Sequence, residues 1–198
     1  MRFVVLAAAV LSLATTAVAQ EPAQKPKQLL LISFDGGGSN ALWQRSRDFA
    51  RAHNARFTYF LSCSLVTKGP VMPEVKDGLV RFGLPLIPEG PAQRPIIAMD
   101  YNLFIRHSAG VENPSRSTQF EERAYAAFRS AFDKQYDGNR IPLQIGLHFV
   151  EMNGGAYWRA MERLVADVCR MRDVECVTYE RAIEILHHQK PDETRSGL

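Results

Sequence analysis

The chain has 198 residues, 46% of them hydrophobic and 23% charged, with a formal net charge of +3. That length suits one domain, and the composition is that of a globular protein rather than a disordered or fibrous one. The charge is small and scattered, with no stripe of Lys and Arg to track phosphates, which argues against a nucleic-acid partner.

The first nineteen residues are expected to lie outside the fold. Arg2 supplies a positive start, Phe3 to Leu13 an apolar stretch, and Ala17-Val18-Ala19 a small-x-small cleavage site, the pattern of a secretory signal peptide. The apolar stretch is too short for a comfortable membrane span, so no stable membrane insertion is expected. A secreted or periplasmic location is expected, a retained N-terminal anchor being the alternative. Residues 20–28 then read as a flexible spacer, 29–188 as the folded domain and 189–198 as a polar tail. In an oxidising compartment Cys169 and Cys176, which flank a short connection, are expected to pair, two buried thiols being the alternative. Cys63 is left over.

Leu29 to Phe34 is a short apolar run that reads as a buried strand. It stops at Asp35 and three glycines, Gly36 to Gly38, and Ser39 or Asn40 caps a helix over Ala41–His53. Ala55–Ser62 reads as a second strand, which makes a parallel βαβ unit with a right-handed crossover. Thr67–Arg94 is rich in Pro and Gly, with a short strand at Leu79–Phe82. Pro95–Asp100 is a third strand, again ending at an acid. Phe120–Tyr136 is an amphipathic helix with an aromatic stripe that belongs to the core. Pro142–His148 is a fourth strand, ending at a histidine. Gly154 and Gly155 open a helix over Ala156–Cys169, and Val174–Thr178 and Tyr179–His187 give a last strand and helix. The fold class is α/β.

In such folds ligands bind at the C-terminal ends of strands, so Asp35 is a candidate catalytic or metal-binding group, a tight turn being the plainer alternative. Asp100, His107 and His148 also fall near strand ends, and two imidazoles with a carboxylate suit zinc. Tyr101 and Trp158, with Phe104 and Tyr157, are candidate sugar-stacking residues, core packing being the alternative. The glycine loop as a phosphate cradle lacks the lysine of a P-loop. Asp35 with Glu151 is a further candidate, as a glycosidase pair whose separation the sequence does not give.

The order of Ser33-Phe34-Asp35-Gly36-Gly37, the strand Ala55–Phe60, Leu147-His148, the glycine-led helix with Trp158, and Val177-Thr178-Tyr179 resembles the polysaccharide deacetylase family, the NodB-homology domain of carbohydrate esterases. The resemblance implies a NodB-like distorted (β/α) barrel, here incomplete. It implies removal of acetyl groups from N-acetylated glycans by a divalent metal, usually Zn2+, held by one Asp and two His. Asp35 falls on the position of the general base and His148 on that of the general acid. The family's metal-ligating acid falls on Gly36, no histidine lies between His53 and His107, and the Arg-x-Pro-aromatic motif has no match. Roughly two β/α units would be missing near Cys63–Thr67, through an internal deletion or a truncated gene model. Two functions are expected on this basis: an exported hydrolase cleaving acetamide C–N bonds of N-acetylated sugars, or a non-catalytic glycan-binding or structural remnant of one.

Overall fold

The computed structural model describes residues 25–36, 39–60 and 84–189. The expected signal peptide, most of the expected spacer, Cys63, the expected strand at Leu79–Phe82 and all but the first residue of the expected tail lie outside those residues. The elements in order are β1 (Gln28–Asp35), α1 (Asn40–Ala52), β2 (Thr58–Phe60), β3 (Leu86–Glu89), β4 (Arg94–Ile97), α2 (Asp100–Ser108), α3 (Ser117–Asp137), β5 (Leu143–His148), α4 (Met152–Val168), β6 (Val174–Cys176) and α5 (Tyr179–Gln189), with a 3-10 turn at Pro114–Arg116 before α3.

β1 is the central strand of a parallel sheet. β5 runs along one edge of it, in register from Leu30–Leu143 to Asp35–His148. The other edge is shared. β6 pairs with residues 28–30 of β1 and β2 with residues 33–35. A strand covered on both edges and both faces should be apolar throughout, and β1 is buried from Gln28 to Phe34. Beyond β5 the sheet gains one parallel bridge, Met99 to Gly146. The described residues form an open mixed α/β arrangement and no closed barrel.

The structure departs from the sequence reading between residues 84 and 108. β3 and β4 form an antiparallel hairpin within the Pro- and Gly-rich stretch. The apolar run Pro95–Met99 is therefore a hairpin strand followed by a single bridge, and not a barrel strand. Asp100 opens α2 rather than closing a strand. A strand whose only regular partner is its neighbour in sequence has the same local pattern as a central one, so periodicity could not separate the two.

The core forms where α3 and α4 pack together over the sheet. Phe120, Phe128 and Phe132 of α3 and Trp158, Met161, Leu164 and Val165 of α4 are buried there, as the aromatic stripe of α3 requires. Phe34 stands at the centre of an aromatic cluster with Phe57, Tyr59, Phe149 and Trp158, ring centroids 5.0–5.7 Å apart. This cluster lies immediately beneath the C-terminal ends of β1 and β5. Cys169 and Cys176 are joined in a disulfide that ties the end of α4 to β6.

Candidate active site

Parallel pairing of β1 and β5 sets Asp35 and His148 side by side as the last residues of the two strands. After Asp35 the chain turns at Gly36, whose φ of +81° is a conformation that side-chain-bearing residues rarely adopt. It then enters α1, capped by Ser39, whose Oγ accepts a hydrogen bond from the Leu42 N–H. After His148 the chain crosses Phe149–Glu151 into α4, whose first turn carries Asn153, Gly154 and Gly155 with positive φ. Asp100 arrives from the other side, placed at the start of α2 by the bridge between Met99 and Gly146.

The three side chains meet. His148 Nδ1 lies 2.7 Å from Asp100 Oδ1, and His148 Nε2 lies 3.1 Å from Asp35 Oδ1. Asp100 also accepts the backbone N–H of His148 at 2.7 Å on Oδ2 and that of Tyr101 at 2.6 Å on Oδ1. The Asp100 side chain is fully buried, whereas those of His148 and Asp35 are 34% and 53% exposed. One imidazole thus stands between a buried, immobilised carboxylate and an open one. Trp158 completes the support, its Nε1–H donating to the His148 carbonyl at 2.9 Å.

Both ring nitrogens face carboxylate oxygens, so both are best satisfied as donors, which is the imidazolium form. The hydrogen bond to Asp100 accordingly raises the His148 pKa above the usual imidazole value, against the opposing effect of its partial burial. Burial pushes the Asp100 carboxyl up, and its bonds to His148 and Tyr101 act in the other direction by favouring the charged form.

No protein-family model, curated protein or solved structure matches this chain. Function must therefore be argued from the site itself.

Three of the residues singled out from sequence, Asp35, His148 and Asp100, come together. Tyr101 adjoins them, 52% exposed, with its ring edge-on to His148 at 6.4 Å between centroids. Trp158 does not serve as a sugar platform. It is 1% exposed and packed under the site, so neither ring face is open to a ligand. His107 is placed elsewhere. Its Nε2 lies 3.0 Å from Glu89 Oε1 and its ring stacks on Phe120, within a buried cluster that also holds Arg123. Burial and the Arg123 charge push its pKa down. Glu151 is ion-paired with Arg45 at 2.6 Å, and Arg45 also binds Glu162.

Among the described residues the donors for the implied divalent metal are not assembled. Among the described residues no group of three or more His, Cys, Asp and Glu is arranged to hold an ion. Gly36 has no side-chain donor at the position the resemblance gives to a metal-ligating acid, Asp100 spends both oxygens on His148 and Tyr101, and His107 is committed to Glu89. These residues do not fit a zinc centre. The role sequence reasoning missed is that of Asp100, which positions the imidazole rather than ligating a metal. The signal for it was the acid ending Pro95–Met99, whose partner the sequence did not reveal. Among the described residues no helix is long and apolar enough to cross a membrane.

Proposed function

We propose that this chain is an exported hydrolase of the polysaccharide-deacetylase type, acting on acetamide groups of N-acetylated sugars, and that its sheet is an open remnant of a NodB-like barrel. The observation that supports the reading most is the Asp100–His148–Asp35 series at the ends of adjacent parallel strands. It supplies an acid and a base within reach of one substrate atom.

Asp35, open to solvent, accepts the proton of a water molecule as that water's oxygen bonds to the acetyl carbon. His148, held as imidazolium by Asp100, gives its Nε2 proton to the sugar nitrogen as the C–N bond breaks. Acetate and a free amine are the products. The contact between Asp35 and His148 must open by about the width of a water molecule (about 3 Å) for this to occur. Asp100 keeps Nδ1 protonated and fixes the ring plane through the backbone N–H of the same histidine. Tyr101 offers an exposed aromatic face beside the acid, suited to a sugar ring.

A second reading, a glycan-binding remnant without catalysis, draws on the lack of an assembled metal-donor group among the described residues and on the closed contact between Asp35 and His148. Acetate release from N-acetylchitooligosaccharides separates the two. Release by the wild type, abolished in Asp35→Asn, supports catalysis. Binding of the same oligosaccharides without release supports the remnant, and neither binding nor release removes both readings.

A further inference from the structure

The end of the sheet opposite Asp35 and His148 carries a second concavity. It has a volume of about 610 Å³ and is lined by residues preceding β1 and β2 and by the segment enclosed by the Cys169–Cys176 disulfide. Its charged lining is Lys27, Arg56, Arg170 and Arg172 against one acid, Glu175. That is a local excess of three positive charges (four cations less one anion), equal to the formal net charge of the whole chain. Glu175 is already used by Lys27, at 2.6 Å. Asp173 is exposed beside Arg172 in sequence but does not line the cavity.

The arginines here differ from those of the α3–α4 face. On the α3–α4 face, Arg123, Arg159 and Arg163 are each met by a carboxylate. Among the described residues Arg56, Arg170 and Arg172 have no acidic partner. Arg56 and Arg170 instead donate to backbone carbonyls of Ala55 and Ala52, which fixes their forks without neutralising them. The disulfide closes the 169–176 segment into a small ring. The positions of Arg170 and Arg172 therefore do not depend on a long flexible loop. Like charges gathered in a cleft repel one another and focus the field on whatever enters it. Guanidinium forks match the planar geometry of carboxylates and the oxygens of phosphates.

We propose that this cavity binds an acidic saccharide, through carboxylate or phosphate groups held by Arg56, Arg170 and Arg172. The anion chemistry rests on the cavity alone, and the saccharide on the function proposed above. The volume suits one or two sugar rings. The site lies about 23 Å from Asp35, the length of β1 at about 3.3 Å per residue, so it would anchor an acidic polymer away from the reacting group.

The test is calorimetric titration of the mature chain with trigalacturonate, inorganic pyrophosphate and neutral maltotriose, at 50 and 250 mM NaCl. We expect one or both anions to bind, at least tenfold more weakly at the higher salt, with no binding of maltotriose. Which anion binds tells carboxylate from phosphate chemistry. The double variant Arg170→Gln/Arg172→Gln should lose at least tenfold in affinity, with an unchanged melting temperature. Arg181→Gln, an exposed arginine of α5 paired with Glu184, should bind as the wild type does. Failure of both anions to bind, equal binding of maltotriose, or undiminished binding by the double variant would overturn the proposal. Acetate release from neutral N-acetylated oligomers should be the same in the double variant and the wild type. In the wild type, acetate release without anion binding overturns the cavity proposal alone, and anion binding without acetate release overturns the proposed hydrolase alone.

Discussion

Asp100 binds His148 twice, through the ring Nδ1 at 2.7 Å and through the backbone N–H at 2.7 Å, using a different carboxylate oxygen for each. A single buried carboxylate thereby fixes both where the last residue of β5 sits and how its ring is turned. Replacement by asparagine tests both functions. Asn offers only one acceptor oxygen, so one of the two His148 donors loses its partner inside the fold. Asp100→Asn should cost about 1–3 kcal/mol of stability, measured by urea unfolding. Unchanged stability would show that the second hydrogen bond to His148 contributes nothing to the fold.

His107 and His148 should titrate in opposite directions. His148 is raised by its bond to Asp100, whereas His107 is lowered by burial and by Arg123. The raised His148 adds stability that is complete below an unfolded value of about 6.5 and is lost as the pH rises through its folded value. The lowered His107 adds stability that is complete above about 6.5 and is lost as the pH falls through its folded value. NMR titration of the imidazole protons should put one midpoint above and the other below the free value. Two midpoints on the same side would contradict the environments described here.

Aromatic residues around the site should divide by role. Trp158→Phe keeps most of the buried packing but removes the donor to the His148 carbonyl, a loss of about 1 kcal/mol with little effect on ligand affinity. Trp158→Ala should cost about 3–5 kcal/mol. Tyr101→Ala, at a half-exposed position, should leave the melting temperature nearly unchanged and weaken oligosaccharide binding by about threefold or more, within the reach of one stacking contact. Thermal melts together with a binding titration would distinguish these outcomes. A drop in affinity for Trp158→Phe equal to that for Tyr101→Ala would reverse the assignment.

The disulfide can be tested in the same way. It closes a loop of eight residues counting both cysteines, for which chain-entropy reasoning gives about 2.5 kcal/mol. Cys169→Ser/Cys176→Ser should be destabilised by that order in urea unfolding. Equal stability of the variant and the wild type would mean that the bridge does not constrain the unfolded chain.

What was legible in the sequence was whatever local pattern determines. The apolar run of β1 ending at Asp35, the aromatic stripe of α3, the cysteine pairing and the histidine closing β5 all follow from residues close together in the chain. Even the union of Asp35 and His148 follows from two strands ending alike in one parallel sheet. The position of residues 84–108 was not legible. The β3–β4 hairpin and the α2 start depend on the Met99–Gly146 bridge, a contact between segments 47 residues apart. Asp100 and His107 share a helix, yet they face different neighbours, one His148 and the other Glu89. No spacing rule assigns a side chain to a partner that another element brings. Trp158 shows the same limit, since a tryptophan on an amphipathic helix looks alike whether its face is open or covered.

The most direct test of the account is the pH dependence of acetate release from N-acetylchitooligosaccharides, for the wild type and for Asp100→Asn. If His148 is the proton donor held charged by Asp100, kcat/KM should fall as the pH rises through the raised His148 pKa. In Asp100→Asn that limb should move to lower pH, and the maximal rate should drop by roughly 10²-fold. A limb that stays in place, or a wild type that releases no acetate at any pH, would contradict the assignment of Asp35, His148 and Asp100 as an acid–base site.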